Sequence, residues 1–234
     1  MEVKSAVQHE VMIPVFVGYD PREAIAYHTF CNSVLRRSSE PVSFVPLAQN
    51  ILGMGQRDGA TQFTYSRFLV PWLMRYQGWA IYADGDMVCL DDVAKLWALR
   101  DSFGKALHVV KHDYQTKAHR KFLGNENRDY PRKNWSSLIL WNCGHFTAQR
   151  LTPQYVEKST GEHLHRFEWV RDEEIGELPV EWNWLAGEYP ENKDAKLIHY
   201  TLGTPCFEEY SESDHAENWM LESELAMLPI GDVG

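Results

Sequence analysis

Blocks of apolar residues alternate with polar, periodic stretches along the chain and predict strands and helices in turn. Residues 12–17 are a short apolar run that ends in a Gly-Tyr-Asp-Pro turn, and residues 22–36 carry apolar side chains at helical spacing. Residues 42–47 are a second strand-like run. A strand, a helix and a strand in this order predict the βαβ unit of a parallel sheet.

The alternation continues through the rest of the chain. Residues 65–75 predict a helix that Pro71 kinks or restarts, and residues 79–83 predict a buried strand that stops at Asp84. The charged stretch 111–133 has no period and predicts a long loop over the sheet, of the kind that often forms an active-site lid. The other predicted elements are a short helix at 91–97, strands at 106–110, 137–141 and 196–199, and a helix at 218–227.

No repeat, low-complexity stretch or linker interrupts this pattern. Residues 1–234 are therefore predicted to form a single α/β domain, with its core at 12–210 and a short acidic C-terminal tail. A hydrophobic content of 44% excludes a disordered chain. The net charge of −10 argues against stable binding to nucleic acid, because a phosphate backbone requires a basic face.

The remaining composition bears on the compartment. The apolar runs are far shorter than the roughly 20 residues that a membrane span needs. The first ten residues have no apolar core of the kind that a signal peptide carries, and the four cysteines stand apart from one another. These observations predict a cytoplasmic protein with reduced thiols.

Asp84-Gly85-Asp86 is the strongest candidate for chemistry. Its two carboxylates directly follow a predicted buried strand, where open α/β sheets bind their ligands. Mg²⁺ and Mn²⁺ prefer oxygen ligands, usually one or two carboxylates together with substrate phosphates. Aspartate and glycine are also common in solvated turns, so the residues alone leave both a metal site and a plain turn open.

Two further positions carry candidate chemistry. His199 ends a predicted strand before a Gly-Thr-Pro turn, where an imidazole suits a transition metal and Gly203 lets backbone approach a phosphate. Arg67 lies in an otherwise apolar helix, where a guanidinium group holds a phosphate or a carboxylate bidentately. A structural histidine, and an arginine whose stem packs while its head reaches water, are the plainer interpretations.

The segments PVFVGYD, TYSRFLVPWLM, WAIYADGDMVCLDD, NWSSLILWN, EWNWL and KLIHYTLGTP follow one another between residues 12 and 210. In this order they resemble glycosyltransferase family 8, with an Asp-x-Asp motif in the third segment. The resemblance implies a GT-A fold, in which helices flank a Rossmann-like, mostly parallel central sheet. It also implies a metal-dependent enzyme that transfers a sugar from a nucleotide-diphosphate donor, usually a uridine diphosphate sugar, with retention at the anomeric carbon.

The same resemblance implies roles for individual residues. Asp84, Asp86 and His199 are the expected ligands of Mn²⁺ or Mg²⁺. Asn134 and Ser136 match the segment that lines the sugar site, and Gly203 matches the glycine beside the diphosphate. The residues expected to bind the donor are Tyr19, Asp20, Arg67, Asp84, Gly85, Ser136 and Gly203.

The chain departs from the family pattern at two places. Where the family has an Asp-Gln pair before its Trp-Asn motif, this chain has residues 171–174, and Asp172 or Glu173 is expected at the reaction centre together with Asn134. The family's lysine after the late glycine is also missing. One diphosphate contact is therefore either absent or supplied from elsewhere, for example by Lys117, Arg120 and Lys121 in the long loop.

Two other functions stay open at this point. A nucleotide-sugar hydrolase or a nucleotidyltransferase shares the acidic metal site, although the latter typically begins with a glycine-rich basic loop that Gly18-Tyr19-Asp20-Pro21 does not provide. A non-catalytic, sugar-binding scaffold of the same fold is the other alternative, and the intact acidic motif and His199 argue against it. The acceptor is a glycan, a lipid-linked sugar or a protein, and no sequence feature indicates an oligomeric state.

Overall fold

The strands and helices follow the predicted alternation. The structure, a computed structural model, describes residues 12–49, 52–53, 61, 63–100, 103–121 and 124–227, so the expectation about the first ten residues lies outside it. The strands are β1 (Ile13–Gly18), β2 (Val42–Leu47), β3 (Trp79–Ala83), β4 (Met87–Cys89), β5 (Leu107–Val109), β6 (Arg120–Lys121), β7 (Asn125–Glu126), β8 (Leu138–Asn142), β9 (Ile175–Glu177), β10 (Trp184–Leu185) and β11 (Leu197–His199). The α-helices are α1 (Ala24–Leu35), α2 (Val70–Leu73), α3 (Val93–Trp97), α4 (Pro153–Lys158), α5 (Gly161–His165) and α6 (Ala216–Met227).

The central sheet has six strands in the order β2-β1-β3-β8-β5-β9. β1 pairs in parallel with both β2 and β3, and β5 pairs in parallel with β9. β8 lies antiparallel between β3 and β5, so it alone runs against the common direction of this sheet. The mostly parallel α/β sheet expected from the sequence is therefore confirmed, including the β1-α1-β2 unit.

Alternate residues of the central strands face two separate cores, because side chains of a strand point to opposite faces. In β3, Tyr82 packs with α2, α4 and α5 on one face, whereas Ile81 packs with α1 and α3 on the other. The same alternation occurs in β1 and β8, where Phe16 and Ile139 share the face of Tyr82. Both faces are covered by helices, so the strands are apolar throughout.

A smaller sheet of three strands, β10-β11-β4, lies beside the central one. β11 pairs antiparallel with β4, and the register sets His199 opposite Met87. β4 follows β3 after only three residues, Asp84 to Asp86, so this short turn carries the chain from the large sheet to the small one. Two of the expected metal ligands and the strand that holds the third therefore meet at this junction.

Some elements differ from the prediction in instructive ways. The helix expected at 65–75 is a 3-10 turn, Ser66–Leu69, followed by the single turn of α2, and Pro71 lies in its first turn, where proline is well accommodated. The loop expected at 111–133 contains the short antiparallel hairpin β6-β7. The pattern did not identify α4, α5, β9 or β10, each of which has six residues or fewer.

The last helix, α6, packs against α1. The carboxylate of Glu222 is buried there and accepts hydrogen bonds from Arg36 Nη1 at 3.0 Å and Arg37 Nη2 at 2.7 Å. Trp219 of α6 is buried with β4 and β11 residues, so the helix also covers the small sheet. Among the described residues, no helix combines the length and the apolar character that a bilayer crossing requires.

Candidate active site

Three side chains with metal-ligating atoms converge where the two sheets meet. Asp84 directly follows β3, Asp86 directly precedes β4, and His199 is the last residue of β11. One ligand atom from each residue lies within 4.8 Å of the others. Because β4 and β11 are paired, the fold brings His199 to Asp86 across more than one hundred residues of sequence.

Asp84 is held by a buried arginine and a buried tyrosine. Arg67 Nη1 lies 3.0 Å from Asp84 Oδ1, and the hydroxyl of Tyr82 donates to the same oxygen at 2.5 Å. Burial raises the pKa of Asp84 above its ordinary value, while the guanidinium of Arg67 opposes the rise. The plain interpretation of Arg67, a head group that reaches water, is thus wrong, since the residue is buried.

His199 is oriented by Asn183. The Nδ1 atom of His199 lies 3.1 Å from Asn183 Oδ1, and an amide oxygen only accepts, so Nδ1 carries the proton. Asn183 Nδ2 in turn donates to Ser137 Oγ at 2.8 Å. With Nδ1 engaged by Asn183, Nε2 is the ring nitrogen that faces Asp86 Oδ1, at 3.4 Å, and it is the one placed to ligate a metal.

The cluster fits a divalent cation of the Mn²⁺ or Mg²⁺ class. Asp86 Oδ1 is buried and accepts no hydrogen bond within the described part of the chain. Two carboxylates with an imidazole suit Mn²⁺, and hard cations of this kind take the rest of their ligands from water and phosphate. A bound cation would satisfy the Asp86 oxygen, which otherwise has no hydrogen-bond partner among the described residues.

A cavity of about 440 Å³ contains the cluster. It is large enough for a small-molecule ligand, for which cavities of about 300–1,000 Å³ are typical. Of the sequence-predicted residues, the structure places Arg67, Asp84, Asp86, Lys121, Asn134, Ser136, His199 and Gly203 in its wall.

Asn134 and Ser136 reach the cavity because β8 pairs with β3. Asp84 N donates to Ser137 O at 2.9 Å, and Arg67 Nη1 donates to Ser136 O at 2.8 Å. Asn134 has a left-handed backbone with φ of 62°, and its side-chain amide donates to the hydroxyl of Tyr114 at 2.8 Å. The left-handed turn aims this side chain at the cavity rather than along the strand.

The two glycines of the site differ in their surroundings. Gly203 lines the cavity with φ of 156°, and a Cβ atom there would lie 2.2 Å from the ring of Tyr210. Gly85 faces away from the cavity, and a Cβ on it would lie 2.3 Å from the carbonyl oxygen of Gly18. Gly85 therefore gives the Asp84-Asp86 turn room to pack on β1.

Tyr19 and Asp20 lie at the end of β1 and do not line the cavity. The carboxylate of Asp20 is buried and accepts hydrogen bonds from the backbone and the guanidinium of Arg22. The ring of Tyr19 packs edge-on against Tyr27, with 5.5 Å between centroids. In this structure the two residues thus cap and pack the start of α1, beside the cavity rather than in it.

The structure places Asp172 and Glu173 outside the cavity wall, apart from the reaction centre at which they were expected. The side chains of Asp172 and Glu173 are 79% and 67% exposed, and they pair with Arg132 and Arg171. They belong to a surface 3-10 turn before β9. Neither lines the cavity, so the assignment from motif spacing is not supported by this geometry.

Several cavity residues were not identified from the sequence. They include Glu23 after β1, Tyr130 in the long loop, and Glu162, His165 and Arg166 around the end of α5. Burial, then the negative charge of Asp86, raises the pKa of Glu23 to about 8. His165 Nδ1 forms a hydrogen bond of 2.7 Å with the hydroxyl of Ser136, and burial lowers the pKa of His165 to about 3. No local motif marks these residues, because tertiary packing alone brings them together.

The chain is similar to known proteins over nearly its whole length. Residues 3–204 match the family model described as Glycosyl transferase family 8. Protein CDI of Arabidopsis thaliana is 42% identical over 222 residues, which cover 90% of this chain and 85% of that protein.

Solved structures of glycosyltransferases share the fold at low sequence identity. The bifunctional glycosyltransferase WbbM has a TM-score of 0.65 at 16% identity, with 94% of this chain and 50% of that chain covered. GlyE of Streptococcus pneumoniae TIGR4 has a TM-score of 0.62 at 15% identity, with 94% and 62% covered. For the galactosyltransferase LgtC the TM-score is 0.59 at 12% identity, with 93% and 97% covered. The chain thus spans half of WbbM and under two thirds of GlyE.

These neighbours are GT-A glycosyltransferases, and the architecture described above is the same mixed α/β fold. The family model covers far more than half of the chain, and it agrees with the 42% identity to a plant relative. The protein belongs to glycosyl transferase family 8 and has the GT-A fold.

Proposed function

We propose that this glycosyltransferase moves a hexosyl or pentosyl residue from a uridine diphosphate sugar to an acceptor hydroxyl, with retention at the anomeric carbon. The observation that carries the proposal is the group of Asp84, Asp86 and His199 in the wall of a cavity that suits a nucleotide sugar. The acceptor is a glycan, a lipid-linked sugar or a protein, and the net charge of −10 disfavours a nucleic-acid acceptor.

Asp84, Asp86 and His199 are the residues that would hold Mn²⁺ or Mg²⁺. Such an ion supplies positive charge that stabilises a diphosphate leaving group as it departs. Asn183 fixes the ring of His199 so that Nε2 faces Asp86, and Arg67 and Tyr82 fix the carboxylate of Asp84. The ligand set is thus oriented by hydrogen bonds before any ligand enters.

The other groups of the cavity wall position the sugar. The amide of Asn134 and the hydroxyl of Ser136 are polar groups of the kind that hydrogen-bond sugar hydroxyls. In the proposed reaction the bond from C1 to the diphosphate oxygen breaks, and a bond from C1 to the acceptor oxygen forms on the same face. The acceptor oxygen is itself the nucleophile and the departing diphosphate oxygen accepts its proton, so neither a protein nucleophile nor a protein base is required.

We also propose that residues 1–234 form one domain and that the protein works in the cytoplasm. All four cysteines are free, and Cys89 and Cys143 are buried as thiols in the two cores of the central sheet. Free thiols are typical of a reducing compartment.

The test is the thermal unfolding of the purified protein with uridine diphosphate, with and without Mn²⁺. A ligand at about one hundred times its dissociation constant stabilises a protein by about 2.7 kcal/mol. We expect a rise in Tm that requires nucleotide and metal together. Asp86→Asn should abolish this rise, because it removes one of the three expected metal ligands. The variant should keep its fold, because Arg67 forms its ion pair with Asp84 and not with Asp86. Asp194→Asn, at an exposed position, is the matched control and should leave the rise unchanged.

The same samples separate the alternatives. Transfer of the sugar to an added acceptor supports the proposal. Release of free sugar from the donor, without transfer to any glycan, lipid-linked or protein acceptor, would favour a hydrolase. The absence of any stabilisation by nucleotide and metal would contradict the donor site and favour a non-catalytic scaffold.

A further inference from the structure

The hairpin β6-β7 forms part of the cavity wall. Lys121 of β6 and Asn125 of β7 both line the cavity, and so does Tyr130, which follows the hairpin. This hairpin comes from the loop at 111–133 and not from either larger sheet. One wall of the site is therefore built by a separate element whose position needs its own support.

Buried hydrogen bonds anchor the base of the hairpin. Glu188 is 3% exposed, and its carboxylate accepts from Asn127 Nδ2 at 3.0 Å and from the backbone of Lys117 at 2.8 Å. Lys133 Nζ donates to Asn127 Oδ1 at 2.5 Å. These contacts tie both ends of the hairpin to the segment after β10, so Lys121 is presented to the cavity on a fixed support.

Lys121, which is half-buried, brings a positive charge into the cavity that holds the metal-ligand cluster. Burial lowers its pKa, and the negative charges of Asp86 and Asp84 oppose the change, so its ammonium group lies in the field of both carboxylates. Within the described ranges, no carboxylate lies at ion-pair distance from Lys121 Nζ, and no group accepts a hydrogen bond from it. A half-buried ammonium without a direct partner favours the binding of an anion in the cavity beside it.

The charge of the cavity leads to the same conclusion. Arg67 and a divalent cation would together bring three positive charges, of which Asp84 and Asp86 would offset two. The two negative charges of a nucleotide-sugar diphosphate would exceed the remaining positive charge by one. Lys121 is a lysine in the cavity wall that has no other counterion among the described residues, and it would supply this further charge.

We propose that Lys121 binds the diphosphate of the donor from the hairpin side of the cavity. This supplies the contact for which the segment after Gly203 has no lysine. The inference rests on the proposed function, because it assumes a nucleotide-diphosphate ligand. It makes Lys121 a donor-binding residue that arises from the β6-β7 hairpin rather than from the late glycine turn.

The experiment measures the affinity of uridine diphosphate and of uridine by calorimetry in the presence of Mn²⁺. Lys121→Met keeps the length of the side chain and removes its charge. Arg120→Met is the matched control, because Arg120 is the neighbouring cation on β6, is exposed and does not line the cavity. Lys121→Arg restores a cation at the same position.

We expect Lys121→Met to weaken uridine diphosphate binding at least tenfold and to leave uridine binding within twofold of the unmodified protein. Arg120→Met should change neither affinity by more than twofold, and Lys121→Arg should recover most of the loss. An equal loss for uridine, or a loss of the same size in Arg120→Met, would overturn the assignment, as would unchanged diphosphate binding in Lys121→Met.

A separate result would distinguish failure of the proposed function. If the unmodified protein binds no uridine diphosphate, the proposed donor is contradicted, and inorganic pyrophosphate with Mn²⁺ replaces it as the probe. Binding of pyrophosphate that Lys121→Met loses would still support a diphosphate site at Lys121. No binding of pyrophosphate by the unmodified protein would overturn it.

Discussion

The imidazole of His199 depends on a residue that is not itself a candidate ligand. Asn183 accepts the hydrogen bond from His199 Nδ1 and donates to Ser137 Oγ, so its amide group is fixed in one orientation. Histidines that bind metals commonly donate their other ring nitrogen to such a partner, and loss of the partner typically weakens metal binding about 10–100-fold.

We therefore expect Asn183→Ala to weaken Mn²⁺ binding by about tenfold or more, because the ring of His199 loses its fixed tautomer and orientation. Titration of the metal-free protein with Mn²⁺, followed by calorimetry, measures the change. Asn183→Asp keeps an acceptor for the Nδ1 proton and should retain more affinity than Asn183→Ala. Asn218→Ala on α6 is the control. Equal Mn²⁺ affinity in Asn183→Ala and the unmodified protein would contradict this role.

A local sequence motif indicated some residues of the candidate site but not others, as Asn183 and Asp172 show. Asp84 and Asp86 were predictable because they directly follow an apolar strand, and strand ends converge at one edge of a sheet. Asp172 and Glu173 were chosen by their spacing from Trp182, and spacing across a surface turn does not fix where a side chain points. The partnership of Asn183 with His199 depends on the pairing of β10 with β11, which no short pattern encodes.

At the element scale, the turn between β3 and β4 is seated on β1. A Cβ atom on Gly85 would lie 2.3 Å from the carbonyl oxygen of Gly18, and that backbone belongs to a central strand of the large sheet. The turn has no room to retreat, because Asp84 N is bonded to Ser137 O and Asp86 O accepts from Tyr200 N. The glycine is required by packing, and not by a left-handed backbone.

We expect Gly85→Ala to destabilise the protein by about 1–3 kcal/mol, because the extra methyl group forces the turn away from β1. It should also weaken Mn²⁺ binding, since Asp84 and Asp86 move with the turn. Denaturant unfolding and the metal titration measure the two effects. In the control Gly144→Ala the nearest atoms would lie 3.8 Å from the new Cβ, an ordinary contact, and no comparable loss should follow. A stable Gly85→Ala protein with normal metal binding would contradict this view.

A strand could be predicted from the sequence when it is long enough to show an apolar run of its own. β1, β3 and β8 are buried on two faces, and they and the edge strand β2 appear in the sequence as apolar runs, so their positions were predictable. β6 and β7 are two residues long, and Lys121 and Asn125 carry no apolar period. The hairpin is held by Glu188, more than sixty residues away in sequence from Asn127, so local reasoning predicts a loop there.

For the whole molecule, buried neutral histidines predict a response to acid. Burial, with a smaller contribution from the charge of His199, lowers the pKa of His112 to about 3. The unfolded chain binds a proton there near pH 6.5, whereas the folded chain does not. The contribution of His112 to the free energy of unfolding is therefore fully present above pH 6.5 and decreases as the pH falls toward 3.

We expect His112 to account for about 2 kcal/mol of the free energy of unfolding lost between pH 7.5 and pH 5.0 in the metal-free protein. His112→Gln keeps a polar partner for the hydroxyl of Tyr189 and should make the loss correspondingly smaller. Urea unfolding at both pH values gives the comparison, with His119→Gln at an exposed position as the control. If His112→Gln shows the same pH dependence as the unmodified protein, the histidine does not contribute.

The contact between α1 and α6 determines when the chain can finish folding during its synthesis. Arg36 and its partner Glu222 are separated by 186 residues, so α1 leaves the ribosome well before α6 does. At translation rates of about 5–20 residues per second, Arg36 waits about 10–40 s for that partner. Until then the face of α1 that Glu222 covers is open to the nascent chain and to chaperones. The pair of α1 and α6 thus forms only after the residues that match the family model have been translated.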